Sequence, residues 1–278
     1  MVTIQGLIRT FKVAKNPHAL IKAKITHKKV NITLFTGKQF NLSFAQFRFL
    51  RDNYELVKKY HVEQVNGGIY KYHLGTSEIV GSPEVLLIVE EILSGIYDYD
   101  FKNKIVLDIG GFEGESAVFF WLLGAKKVII YEPVLNHKNL IEENIRLNNI
   151  NAEVHVEGIG EKDNEIKVYY ENTDNCFGLQ EKQQISANQM VIKIRDITTV
   201  LSESNADVAK IDCEGAEISL TKVPREVLRK VEYYIIEVHS PEIKQALVQK
   251  FSDTGYLLAK DIELCEMISL LHFKRNHH

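Results

Sequence analysis

The sequence predicts an α/β fold, a doubly wound, mostly parallel seven-stranded sheet closed by a C-terminal strand-loop-strand, with a small N-terminal β-hairpin and helix region. Three observations lead there. From residue 105 onward, short apolar runs alternate with amphipathic stretches, the pattern of βα units joined by right-handed crossovers. A turn punctuated by Gly110, Gly111 and Gly114 separates the first run from the helix after it. The last two strand patterns, 256–259 and 267–273, follow one another without a helix, unlike an ordinary dinucleotide-binding sheet.

The first region, 1–81, opens as helix or loop and continues as a hairpin. Val30, Ile32 and Leu34 alternate with Asn31 and Thr33, and beyond Thr36-Gly37 the residues Phe40, Leu42 and Phe44 alternate with Gln39, Asn41 and Ser43. Period two on both sides of a glycine turn predicts a ribbon with one buried face. Residues 45–59 follow as a helix, with Phe47, Leu50, Tyr54 and Val57 toward a core. A second hairpin turns at Asn66-Gly67-Gly68 and runs through Tyr70, Tyr72 and Leu74.

The second region, 82–278, starts with a helix over 85–95, with Ser82 as cap and Pro83 in the first turn. Strand 105–109, helix 116–123 stopped by Gly124, and strand 127–131 come next. Helix 136–148, with Leu140, Ile141 and Ile145 inward, leads to strand 152–157. A hairpin of 165–170 with 190–194 brackets a polar segment, 171–189, read as a loop over the site. Strand 207–212, a helix near 223–230 and strand 233–238 follow. A helix over 242–251, started by Ser240-Pro241 and followed by Gly255, delivers the chain to the closing strands.

A chain of 278 residues can bury a core without disulfide staples. Cys176, Cys213 and Cys265 are far apart and odd in number, which describes neither a disulfide framework nor a zinc site. No run approaches the roughly 18 apolar residues of a transmembrane segment, and the N-terminus lacks a signal-peptide core, so a cytoplasmic protein is expected. His277 and His278 read as a tag remnant without a role. The net charge of −3 hides a polarity. Residues 1–60 carry twelve Lys or Arg against Asp52 and Glu55, a surplus of ten, which leaves −13 for the remainder. Such a segment attracts phosphate, an anionic glycan or a lipid headgroup surface, or else neutralises the acidic remainder.

The turn itself selects among ligands. A dinucleotide fingerprint of the form GxGxxG would need glycine in place of Phe112 and Glu115. The pattern present, Asp108-x-Gly110-x-x-x-Gly114-x-Ser116, resembles that of class I S-adenosylmethionine (SAM) methyltransferases. Glu132, at the end of the second strand, lies twenty-four residues beyond Asp108, near the spacing of an acid that accepts ribose hydroxyls. It reads otherwise as a helix-capping glutamate. In the SAM reading Asp108 holds the ammonium of the methionine moiety. Gly110, Gly111 and Gly114 allow close approach, and Ser116 caps the next helix or touches the ligand. Gly158-Ile159-Gly160 offers Ile159 as an apolar surface for adenine.

The string Lys210-Ile211-Asp212-Cys213-Glu214-Gly215-Ala216-Glu217, with Asp108-Ile109-Gly110 and Tyr131-Glu132-Pro133, resembles the FkbM-type methyltransferases, whose motif reads KIDxEGxE. The resemblance covers about residues 100–275. It implies O-methylation of a hydroxyl on a sugar, glycan or small metabolite, with SAM as cofactor. A hydroxyl nucleophile needs a base or a metal. Asp212, Glu237 and His239 converge on the acceptor side as candidate catalytic groups, His239 having a side chain suited to proton transfer near neutrality. No metal is assigned, although the same three side chains offer an alternative as ligands of one divalent ion. Glu214 and Glu217 read as caps or ion pairs of the following helix. Two other functions compete: an RNA or other anionic-polymer methyltransferase using the basic residues 1–60, and a SAM-binding module without catalysis.

Overall fold

Alternation of buried and exposed residues builds the first hairpin where the sequence predicts it. The computed structural model describes residues 4–170 and 188–276. Helices Ile4–Val13 (α1) and His18–Thr26 (α2) precede Val30–Thr33 (β1), which pairs antiparallel with Gln39–Leu42 (β2) and sets Ile32 opposite Phe40 in the interior. Burying a side chain of this size contributes about 1.5–3 kcal/mol. The helix predicted over 45–59 is two helices, Phe44–Asp52 (α3) and Tyr54–Lys59 (α4). Asn53 leaves helical geometry between them (φ −108°, ψ 26°), and its side chain donates to the Phe49 carbonyl at 2.9 Å.

Glu63–Asn66 (β3), Ile69–Leu74 (β4) and Ser77–Gly81 (β5) form an antiparallel sheet around buried Tyr70 and Tyr72. The third of these strands was not expected. Helix Val85–Glu91 (α5) follows, but Ser82 is not its cap residue; that position falls on Glu84, and the Ser82 carbonyl accepts the Val85 N–H at 3.3 Å. The chain divides into two compact units after Leu93, so α5 groups with the N-terminal unit.

In the unit from Ser94 the βα alternation is realised: Ile105–Ile109 (β6), Glu115–Leu122 (α6), Lys127–Tyr131 (β7), Leu135–Asn148 (α7) and Ala152–His155 (β8). Gly158–Gly160 (β9), Asn164–Tyr170 (β10) and Asn188–Asp196 (β11) make a side sheet in the order β10-β11-β9. Helix Ile197–Glu203 (α8), absent from the sequence reading, leads to Val208–Ile211 (β12). A 3-10 helix, Ala216–Lys222, and a short Arg225–Leu228 (α9) take the place of the helix expected near 223–230. Tyr233–Val238 (β13), Pro241–Thr254 (α10), Tyr256–Cys265 (β14) and Ile268–Arg275 (β15) complete the chain. Residues 171–187 of the predicted loop, with Cys176 among them, and His277 and His278 lie outside the described residues.

The main sheet has seven strands in the order β14-β15-β13-β12-β6-β7-β8, with β15 antiparallel to both of its neighbours. The predicted α/β architecture and closing strand pair are therefore present. Strand order reverses between β6 and β12, which makes the carboxyl ends of these two strands the crevice where a ligand fits. Alternation along the strands sends Leu107, Ile109, Ala209 and Ile211 into one hydrophobic cluster. It sends Asp108 and Lys210, neighbours in register, to the opposite face. No described helix is long and apolar enough to cross a membrane.

Candidate functional site at the carboxyl ends of the strands

The glycine turn is built from backbone contacts that admit no side chain. Gly110 has φ +77°, and a Cβ there would stand 1.7 Å from the Asp212 carbonyl oxygen, so the ends of β6 and β12 meet through a bare backbone. The Gly110 and Gly111 N–H groups donate to the Tyr131 carbonyl at 2.9 and 3.3 Å, tying the turn to β7 as well. Gly114, at φ +90°, occupies the cap position of α6. Ser116 is therefore inside the helix, and its hydroxyl donates to Asp108 Oδ2 at 2.6 Å instead of capping.

Behind the turn lies a set of buried charges. Asp108 is fully buried; its Oδ1 accepts no hydrogen bond among the described residues and faces Lys210 Nζ at 3.5 Å. Lys210 donates to the Gly110 carbonyl at 2.7 Å and approaches Asp212 Oδ2 at 3.5 Å. Burial opposes its charge, but Asp212, Asp108, Tyr97 and Glu115 outweigh that and hold the ammonium well above its ordinary value. Glu115, which stands at a helix start like an ordinary solvated acid, is buried instead, and burial pushes its carboxyl up to about 8. A lysine in the all-buried strand Val208–Ile211 was the available signal, since such a cation needs anionic partners.

Glu132 is nearly buried and braces the turn: Oε2 accepts the Phe112 N–H at 3.0 Å, and Oε1 accepts the Val134 N–H at 2.9 Å and lies 3.2 Å from His137 Nδ1. Three of about four lone-pair directions of its carboxylate are thus engaged. Ile159 is 2% exposed and belongs to the hydrophobic cluster with Leu107 and Ile109.

At the carboxyl ends of β12 and β13, Asp212, Glu237 and His239 come together, joined by Glu214 and Glu217. His239 Nδ1 lies 3.0 Å from Glu217 Oε1, and its Nε2 lies 3.5 Å from Glu237, 3.6 Å from Glu214 and 3.8 Å from Asp212. Burial works to lower the imidazole pKa, and the neighbouring carboxylates of Glu217 and Glu237 overcome it, raising it to about 10. Asp212 is pushed up to about 6 by burial, against the pull of Lys210.

No protein-family model matches the chain, and no curated protein matches it in sequence. Among solved structures it is similar to the ribosomal protein L11 methylase from Lactobacillus delbrueckii subsp. bulgaricus, at 15% identity over 70% of this chain and 81% of that one, with a TM-score of 0.42. It is also similar to the tRNA methyltransferase TrmK of B. subtilis, at 13% identity over 66% of this chain and 65% of that one, TM-score 0.42. A third likeness is a protein of the NADB-Rossmann superfamily from Streptococcus agalactiae, at 14% identity over 67% and 68% of the two chains, TM-score 0.42.

Proposed function

We propose that the unit from Ser94 onward binds SAM and transfers its methyl group to a hydroxyl on a sugar, glycan or small metabolite, as the FkbM-type resemblance implies. The observation that carries this reading is the bare glycine turn at the switch point, where Gly110 packs on the Asp212 carbonyl in a sheet closed by antiparallel β15. Cofactor backbone approach falls to Gly110, Gly111 and Gly114. Asp108 Oδ1, which accepts no hydrogen bond among the described residues and lies 3.5 Å from Lys210 Nζ, is the oxygen assigned to the cofactor ammonium, and Glu132 has one lone pair for a ribose hydroxyl. Ser116 acts through Asp108, and Ile159 supports the site from the core, so neither is assigned direct contact.

SAM, when bound, would supply an electrophilic methyl group and leave as S-adenosylhomocysteine, and the rate would come largely from how these residues position the acceptor hydroxyl. The hydroxyl proton passes to one of Asp212, Glu237 and His239, whose side chains gather at the ends of β12 and β13. Calorimetry tests the reading: SAM and S-adenosylhomocysteine bind and NAD does not. Glu132→Ala weakens SAM binding by about 10- to 100-fold, the worth of a charged hydrogen bond, whereas Asp212→Asn spares binding and lowers turnover. NAD binding without SAM binding sinks it.

A second acceptor class has its own support. Eleven of the twelve cations in residues 1–60 are exposed, a surface suited to a phosphate backbone. An RNA acceptor would bind with affinity falling steeply as salt rises; no RNA binding at low salt removes it.

A further inference from the structure

The surroundings of His239 differ from an ordinary ion-pair cluster. Its ring is fixed from one side by Glu217, whose side chain is 0% exposed: Oε1 accepts the His239 backbone N–H at 3.0 Å and faces Nδ1 at 3.0 Å, while Oε2 accepts the Gly215 N–H at 2.8 Å. The other ring nitrogen, Nε2, is thereby aimed at three carboxylates, at 3.5, 3.6 and 3.8 Å. One N–H cannot serve three acceptors, and none of these spacings is a normal hydrogen-bond length of about 2.7–3.2 Å.

We propose that Asp212, Glu214 and His239 bind one divalent first-row transition ion, with Glu217 as the residue that positions the histidine. The donor atoms of Asp212, Glu214 and His239 all lie within 4.8 Å of one another. A four-coordinate ion with bonds of about 2.0–2.1 Å holds its ligand atoms about 3.4 Å apart, close to the spacings around Nε2. The imidazole nitrogen selects a transition ion over magnesium or calcium, which take oxygen donors. A carboxylate bonded to the far nitrogen of the ring is the arrangement that fixes metal-binding histidines. Glu214, expected as a cap or ion pair of the following helix, enters the set where its backbone turns at φ +53° after β12. The ion's purpose, holding the acceptor oxygen and easing its deprotonation, rests on the methyl-transfer reading; its binding does not.

Mn²⁺ titrated into the full chain, with free ion followed by electron paramagnetic resonance and Zn²⁺ as competitor, tests the site. One ion per chain is expected. Asp212→Asn and Glu214→Gln should each weaken it at least tenfold, Glu217→Gln should weaken it about tenfold by releasing the ring, and Glu242→Gln should leave it unchanged. Glu214 is 47% exposed, so its substitution leaves the fold intact, which circular dichroism checks. Absence of Mn²⁺ and Zn²⁺ binding at millimolar concentration, or binding indifferent to Asp212→Asn and Glu214→Gln, overturns the proposal. SAM calorimetry on the same samples keeps the readings apart: SAM bound without an ion refutes the ion site alone, and an ion bound without SAM refutes the methyl-transfer reading alone.

Discussion

In the N-terminal unit most charged side chains lie on the surface, whereas around β6 and β12 several lie inside. Lys22, Lys24, Lys28 and Lys29 are exposed, and the interior of their unit is aliphatic and aromatic, with Ile32, Leu34, Phe40, Phe47 and Tyr70. Asp108, Glu115, Lys210 and Glu217 are each below 5% exposed. Ionised groups are costly to bury, and removing one partner of such a set costs more than the set contributes. No charged residue of the N-terminal unit is buried among the described residues, whereas the second unit sets these groups beside the switch point of its sheet.

The largest effect that tests this contrast comes from two glycines, both at positive φ. Gly110→Ala must push the Asp212 carbonyl away from a Cβ that would lie 1.7 Å from it, which joins strain to a steric clash. A loss above about 4 kcal/mol, or failure to fold, is expected in chemical denaturation. Gly37 has φ +88° in the first hairpin and open space around it, so Gly37→Ala should cost only about 1–2 kcal/mol for the left-handed backbone. Similar losses at the two positions would mean that the close approach at the switch point is relaxed in solution.

Glu115 supplies the next effect, through pH. Burial raises its folded pKa to about 8, above the unfolded value near 4.5, so the folded state binds the extra proton between these values. Stability therefore falls as pH rises through that window. Below it both states are protonated and no penalty exists; above it the penalty is complete, on the order of a few kcal/mol. Glu115→Gln should flatten the fall, measured by denaturation at several pH values. Wild-type and variant curves that run parallel from pH 5 to 9 would show that Glu115 is ionised at no cost, contrary to its burial.

The same contrast explains what could be read from the sequence. Hairpin β1–β2 and strands β6, β7 and β13 were legible because period-two alternation or a continuous apolar run fixes them locally. The break at Asn53 was not, because Phe47, Leu50, Tyr54 and Val57 keep helical spacing across it. Asp212, Glu237 and His239 were found as a group from their positions at strand ends. Glu115 and Glu217 were missed as site residues because an acid at a helix start normally reads as a solvated or capping group. Their depth comes from neighbours distant in sequence, such as Lys210 for Glu115 and His239 for Glu217.

The smallest effect compares two serine caps. The Ser43 hydroxyl accepts the Gln46 N–H at 3.2 Å in a capping box, and the Ser240 hydroxyl accepts the Ile243 N–H at 3.2 Å without one. Alanine at either position removes one acceptor from a helix start, worth about 1 kcal/mol. In Ser43→Ala the Gln46 carboxamide still accepts the residue 43 N–H, so half of the box survives; in Ser240→Ala the side-chain cap is lost entirely. Amide hydrogen exchange should therefore quicken at Gln46 in the first variant and, by a larger factor, at Ile243 in the second, each leaving the other amide unchanged. A larger increase at Gln46 than at Ile243 would mean that the reciprocal glutamine bond adds nothing, and no increase at either would mean that the two helix starts are held by packing alone.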